Sequence, residues 1–200
     1  MYRKSLIIIF TSILFTVIGI YAFDNPSPKN PGDQVEDFTL NNYDGTPYTL
    51  SDLKNSKAVV VMFLSTRCPN VQPYTDRLAN LYQEFTKEGI TFIGINSNST
   101  ESLQEVREHA MKTGYQFPVL KDLNNKVADL FGATRTPEVF VLDPNRVVLY
   151  HGRIDDNRDA EQVTSNDLRN ALGELTAEKD ISVKSTKSFG CSIKRVNDSK

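Results

Sequence analysis

The stretch AVVVMFLS, residues 58–65, does most to limit what this chain can fold into. It is apolar as far as Ser65 and rich in β-branched side chains, so it offers no polar face to water. A strand of that kind is covered on both faces, as at the centre of a parallel or mixed sheet. GITFIGINS, from Gly89, repeats the pattern. Between the two runs, Val71, Tyr74, Leu78, Leu81 and Phe85 are spaced 3-4-3-4, the pattern of a one-faced amphipathic helix. Strand, helix and strand at this length make a βαβ unit, with parallel strands and a right-handed crossover.

The flanking segments extend that unit. Phe38 and Leu40 alternate as in a short strand, Asp44-Gly45 is a turn, and Thr49-Leu50 resumes the strand before a short helical stretch. ESLQEVREHAMKTG predicts a second helix, capped by Ser99 or Thr100 and ended near Gly114. FPVLKD reads as a short edge segment, and NKVADLFG as a short helix stopped by Gly132. EVFVLD and RVVLYHG flank Asp143-Pro144-Asn145 and form an antiparallel hairpin, with proline at the second turn position. SNDLRNALGEL supplies a closing helix with Leu168, Leu172 and Leu175 on one side. The sum is a mixed α/β sheet of four to five strands flanked by helices. Periodicity alone leaves open which α/β arrangement it is.

Hydrophobic residues make up 39% and charged residues 24% of the chain, enough for one packed domain, placed at residues 32–176. The formal net charge is −2 with both signs interspersed, so the clustered basic face of a nucleic-acid binder is missing. Before the domain, Arg3 and Lys4 precede an uncharged, mostly apolar run from Ser5 to Phe23. Residues 1–23 therefore read as a signal peptide or membrane anchor. The protein is expected to be exported, held to the membrane through residues 5–23 if uncleaved, and periplasmic or secreted if cleaved. Residues 24–31 are proline-rich and read as a linker. Residues 177–200 form a polar, turn-rich tail that carries Cys191. Asn98 and Asn197 stand in N-x-[ST] patterns, which matter only in a eukaryotic secretory pathway.

Only two cysteines are present. Cys68 directly follows the central strand and precedes Pro69, a residue favoured in the first turn of a helix. Free backbone N–H groups there carry partial positive charge and stabilise a thiolate, and Arg67 alongside adds to that. Ser65, three residues earlier, is placed to aim a hydroxyl at the same pocket, with Thr66 beside it. Pro73 removes an intrahelical bond, so the helix kinks or begins late. The plain alternative for Cys68 is a buried structural thiol. Val71 occupies the place where a C-x-x-C pair would put its second sulfur. Cys191 is left as a resolving thiol, a static disulfide partner of Cys68 or a spectator. Pro137, after Thr136, is sterically tolerated at the start of a strand. His109 and His151 have no neighbours at ligand spacing, and Asp155, Asp156 and Asp159 lack a calcium loop's full set, so that acidic stretch reads as a solvated turn. No metal and no cofactor are expected.

PGDQVEDFTLNNYDGTPYTLSDL, AVVVMFLSTRCP, TPEVFVLD and YHGRIDD together resemble the redoxin group of the thioredoxin superfamily, over residues Gly32 to Leu175. The C-terminal FGCSIKR is similar to a peroxiredoxin-like branch of that group. The resemblance implies a thioredoxin fold and a cis bond between Thr136 and Pro137, with that proline packed on the active cysteine. It implies Cys68 as the attacking thiolate, supported by Ser65, Thr66, Arg67, Pro69, Thr136 and Pro137. A peroxide would turn that thiolate into a sulfenic acid, and a protein disulfide would turn it into a mixed disulfide. Either product then needs a second thiol: Cys191, a thioredoxin-like protein or a small thiol. Two departures stand out. In the peroxiredoxin pattern P-x-x-x-[TS]-x-x-C, Ser65 and Cys68 match but the proline position holds Val61, and the family's arginine position falls on Pro137. The expected function is an exported, peroxiredoxin-like thiol redox protein with Cys191 resolving. The alternatives are a thioredoxin-like disulfide exchanger or a non-catalytic, membrane-tethered binding module of the same fold.

Overall fold

The computed structural model describes residues 27–196. The expectations for residues 1–23 and for Asn197 lie outside them. No helix among the described residues is long and apolar enough to cross a membrane.

The strand at the centre of the sequence is also the centre of the sheet. β3 (Ala58–Phe63) pairs in parallel with β4 (Ile90–Asn96) and antiparallel with β7 (Glu138–Leu142). All six residues of β3 are buried, and their alternation divides the core. Val60 and Met62 join a cluster with Leu78, Leu81 and Phe85 of α1 (Thr75–Phe85), Val106 and Ala110 of α2 (Leu103–Thr113), and Leu168 and Leu172 of α4 (Asp167–Thr176). Val59, Val61 and Phe63 join the opposite cluster, with Phe131 of α3 (Lys126–Phe131) and Phe140. Phe63, Phe131 and Phe140 meet edge to face there, the arrangement ring quadrupoles favour.

Among the described residues the sheet has seven strands rather than four or five, in the order β2 (Pro47–Thr49), β1 (Thr39–Asn42), β5 (Val119–Lys121), β4, β3, β7 and β8 (Val148–Gly152). The additional strands come from the hairpin of β1 and β2, which adds onto β5. FPVLKD is therefore interior, not an edge: β5 is hydrogen-bonded to β4 on one side and β1 on the other. The hairpin partner β8 forms the opposite edge. α2 starts at Ser102, not Ser99 or Thr100, because Ser102 and Glu105 close a reciprocal capping box. α1 begins only at Thr75, after a single 3₁₀ turn over Gln72–Tyr74 that contains Pro73. Pro69 thus lies in a turn well ahead of the helix, and the helix-start explanation for activating Cys68 is corrected accordingly.

The described part of the linker is not free. Lys29 N–H donates to the Phe131 carbonyl at 2.9 Å, and the backbone of Ser27 and Pro28 lies where any side chain at Gly132 would sit. The acidic turn is also more than solvated. Asp155 is buried and accepts from Arg77 at 2.5 Å, while Arg77 stacks over the Tyr74 ring at 3.9 Å.

Candidate redox site and the strapped tail

The chain enters the site from the end of β3, where residues 64–71 turn instead of continuing the strand. Ser65 fixes that turn. Its Oγ accepts from the backbone N–H of Cys68 at 3.1 Å and of Arg67 at 3.2 Å. Its own hydrogen goes to Glu101 Oε1, 2.5 Å away. The hydroxyl thus lies at Cys68, as expected from its place three residues earlier, but it bonds the cysteine's backbone N–H and its own hydrogen is committed to Glu101. Glu101, only 3% exposed, also accepts from the Thr66 N–H and hydroxyl, both at 2.8 Å, and from Asn96 Nδ2 at 2.6 Å. One buried carboxylate therefore ties the turn before Cys68 to the end of β4.

A cation lies under the same loop. Lys121 Nζ donates to Asn96 Oδ1 at 2.8 Å and to the Asn98 carbonyl at 2.7 Å. Burial lowers its pKa, against the pull of Glu101 and Asp122.

The structure brings both cysteines together in a disulfide, with Cα atoms 6.0 Å apart across 123 residues of sequence. Cys68 is 2% exposed, whereas Cys191 is only partly buried. Cys68 Sγ lies 3.3 Å from the Thr136 carbonyl oxygen, and Asn70 Nδ2 points at Cys191 Sγ from 3.6 Å. The Thr136–Pro137 peptide bond is cis. β6 (Arg135–Thr136) pairs antiparallel with β9 (Cys191–Ser192), with Thr136 opposite Cys191. The Thr136 backbone, a candidate for binding a peptide, is thus engaged by the chain's own tail. Its hydroxyl is buried and has no hydrogen-bond partner among the described residues. Gly190 has φ +144°, and its bare α-carbon lets the tail pass directly over the Thr136 carbonyl, where a β-carbon would collide.

The two arginines do not serve Cys68. Arg67 is 59% exposed and pairs with Glu105, whose pKa falls to about 2 chiefly through that hydrogen bond. Arg135 turns to Gly190 O and Ser192 Oγ, 3.4 Å from each. Pro69 is exposed in the turn.

Several site residues escaped the sequence reading. Glu101 stood only as the first residue of the segment ESLQEVREHAMKTG, with no role assigned to it. Asn98, read as a glycosylation pattern, is buried and accepts the Lys194 N–H. Glu138 accepts the Thr134 and Arg135 N–H groups through Oε2 at 2.8 and 2.9 Å, while its Oε1 is 2.7 Å from His151 Nε2. That buried pair shapes the loop ahead of the cis bond. Its available signal was a charge inside the otherwise apolar strand EVFVL.

A central strand leading into a cysteine-bearing turn, a cis-proline loop facing that cysteine and a disulfide from it to Cys191 define a thioredoxin-fold redoxin, a thiol-dependent redox protein. The chain belongs to the AhpC/TSA family, whose model matches residues 31–151. It is 36% identical to a hypothetical protein from Sinorhizobium meliloti of known structure, with a TM-score of 0.77 over 84% of this chain and 95% of that one. It is 32% identical over 124 residues to the chloroplastic peroxiredoxin Q of Sedum lineare, covering 58% of this chain. It is 28% identical over 156 residues to the thiol–disulfide oxidoreductase ResA of Bacillus subtilis, covering 74% of this chain and 86% of that protein. The match spans 65% of the length of the Sedum protein and 57% of the two rice peroxiredoxin Q sequences.

Proposed function

We propose that the protein is a thiol–disulfide oxidoreductase in which Cys191 meets the external sulfur and Cys68 is its buried partner. The observation that carries this reading is the bridged pair with only Cys191 open to solvent. In the dithiol form the Cys191 thiolate attacks one sulfur of an external disulfide. That S–S bond breaks, and the departing sulfur takes up a proton. The Cys68 thiolate then attacks the Cys191 sulfur, the mixed disulfide breaks, and the second substrate thiol leaves. Two electrons have passed to the substrate. An external dithiol, or two small thiols, returns them through the same steps in reverse. Asn70 supplies an amide donor to the Cys191 sulfur as charge develops on it. This order inverts the sequence expectation, in which Cys68 attacks first.

A second reading, with peroxide as the oxidant, is supported by the match of Ser65 and Cys68 to the family pattern and by the peroxiredoxin Q relatives. Cys68 would attack one peroxide oxygen, breaking the O–O bond to give a sulfenic acid and water. Cys191 would then displace a second water and close the disulfide. The committed Ser65 hydrogen and the outward-turned arginines weigh against fast chemistry of that kind.

The test uses single-cysteine variants of the full chain exposed to oxidised glutathione. Cys68→Ser is expected to trap a mixed disulfide on Cys191, and Cys191→Ser to trap little. The reverse pattern would sink the proposed order of attack. Rapid closure of the Cys68–Cys191 bridge by one equivalent of hydrogen peroxide, with neither variant trapping glutathione, would establish the peroxide reading instead. The basic-then-apolar residues 1–23 support an exported site of action, with the remainder of the chain on the outer side of a membrane. Release of the protein from membranes by a carbonate wash would argue against anchoring.

A further inference from the structure

The tail beyond Cys191 is held by far more than the disulfide. Ile193 N–H donates to the Thr134 carbonyl at 3.0 Å, and the Ile193 side chain is buried in the cluster that contains Phe63 and Phe131. Lys194 N–H donates to Asn98 Oδ1 at 2.8 Å. The Lys194 carbonyl accepts from Ser99 N–H at 2.9 Å and from Asn125 Nδ2 at 3.2 Å. The Arg195 carbonyl accepts from Ser99 Oγ at 3.0 Å. Val196 N–H donates to Asn125 Oδ1 at 2.9 Å. Arg195 itself reaches the Ala133 carbonyl at 2.6 Å and Asp129 at 2.5 Å.

Two buried asparagine amides are thus standing in for a neighbouring β-strand. Asn98 offers an acceptor to one tail amide, and Asn125 offers both a donor and an acceptor to the groups beside it, as a paired strand would. Asn125 holds a left-handed backbone conformation, φ 58°, a conformation in which asparagine is enriched. Neither amide touches a sulfur; all of these bonds run between the tail backbone and the domain.

We infer that Asn98 and Asn125 are positioning residues that keep residues 192–196 docked in the dithiol form, so that Cys191 stays seated beside Cys68 after the bridge opens. The inference deepens the exchange reading and rests on it for its purpose: a docked Cys191 meets its partner while Cys68 remains covered. It also sets the bridge's stability, because closing a disulfide between two already adjacent thiols needs no loop to be ordered. Opening the bridge with dithiothreitol moves two electrons, converting one dithiothreitol to its cyclic disulfide and the pair to two thiols.

Amide hydrogen exchange on the fully reduced full chain tests the docking directly. Ile193, Lys194 and Val196 are expected to keep at least a hundredfold protection over unstructured peptide. Exchange of those amides at free-peptide rates in the reduced protein, with β3 and β4 still protected, overturns the inference. The positioning role is read from the dithiothreitol equilibrium. Asn125→Gly removes the amide, together with its bond to the Ser97 carbonyl inside the domain, while permitting the same backbone, so Lys194→Pro, which removes the Asn98 contact from the tail side without touching the domain, is the control for it. Each is expected to shift the equilibrium at least tenfold toward the dithiol, about 30 mV for two electrons. An unchanged equilibrium in both variants would show that the amides do not position Cys191. None of these readouts depends on whether peroxide or a disulfide is the oxidant. A wrong function and an undocked tail therefore give different results.

Discussion

Replacing Glu101 by glutamine tests whether one buried carboxylate organises the approach to Cys68. Glu101 accepts four hydrogen bonds, from Ser65 Oγ, Thr66 N–H, Thr66 Oγ1 and Asn96 Nδ2. Hydrogen bonds to a charged acceptor contribute about 1.5–3 kcal/mol and neutral ones about 0.5–1.5, so the change costs roughly 1 kcal/mol for each bond that survives. The amide can present oxygen at only one of the two carboxylate positions. Placed where Thr66 and Asn96 converge, it turns its NH₂ toward Ser65. Ser65 Oγ already accepts two backbone N–H groups and has no room for a third donor. Against this, the variant no longer buries a charge, which returns part of the loss. The net expectation is about 2–4 kcal/mol of destabilisation, roughly 5–15 °C in Tm for a domain of this size. Urea unfolding of the oxidised protein at neutral pH measures it, with an unchanged slope as the check that the same cooperative unit unfolds. The variant also releases the Ser65 hydrogen, so hydrogen peroxide should oxidise the reduced variant faster than the parent. A loss below about 1 kcal/mol would refute the idea that this carboxylate organises the turn.

Three further outcomes follow from other parts of the structure. Gly190→Ala puts a β-carbon against the Thr136 carbonyl at a backbone angle alanine resists, so air-oxidised protein should hold markedly less Cys68–Cys191 bridge by thiol counting. Arg77→Ala strands the buried Asp155 carboxylate, whose pKa burial already pushes up, and should cost about 3–5 kcal/mol in chemical denaturation. Above pH 10 stability should fall: burial raises the pKa of Tyr74, Tyr115 and Tyr150, so the unfolded chain loses those protons first and is favoured as pH rises. Lys121, lowered by burial, works in the opposite sense and offsets part of this. Tyr74→Phe should flatten the alkaline decline in Tm, and an unaltered slope would remove Tyr74 from that account.

The parts of the fold legible in sequence were those with one dominant periodicity. AVVVMFLS and the Leu78, Leu81 and Phe85 stripe announce a covered strand and its crossover helix because burial on two faces and on one face leave different patterns. The β1–β2 hairpin itself was legible as strand, Asp44-Gly45 turn and strand, but its addition to β5 was not: strands of four and three residues with partly exposed side chains do not record which edge they join. Cys68 was legible from its place after the central strand, whereas its environment was not. Ser65 sits three residues before Cys68 as expected, yet where its hydrogen goes is decided by Glu101, thirty-six residues away. Arg67 is adjacent in sequence and still points elsewhere, because Glu105 on the capped end of α2 offers a closer charge. The tail was the least readable. Its hydrogen bonds are made by asparagine side chains on two separate loops, a match that no periodicity records.

The route taken by that tail has a consequence for solubility. β8 is an outer strand of the sheet, and an outer strand presents a row of unpaired N–H and C=O groups to which another chain can add. Here His151 N–H donates to the Lys184 carbonyl and Thr186 N–H donates to the His151 carbonyl, both at 3.0 Å, while Thr186 fills the space a side chain would need at Gly152. The segment that delivers Cys191 thus first occupies the open margin of the sheet. A chain shortened before Lys184 would lose its second sulfur and, in the same stroke, expose a strand edge suited to self-association.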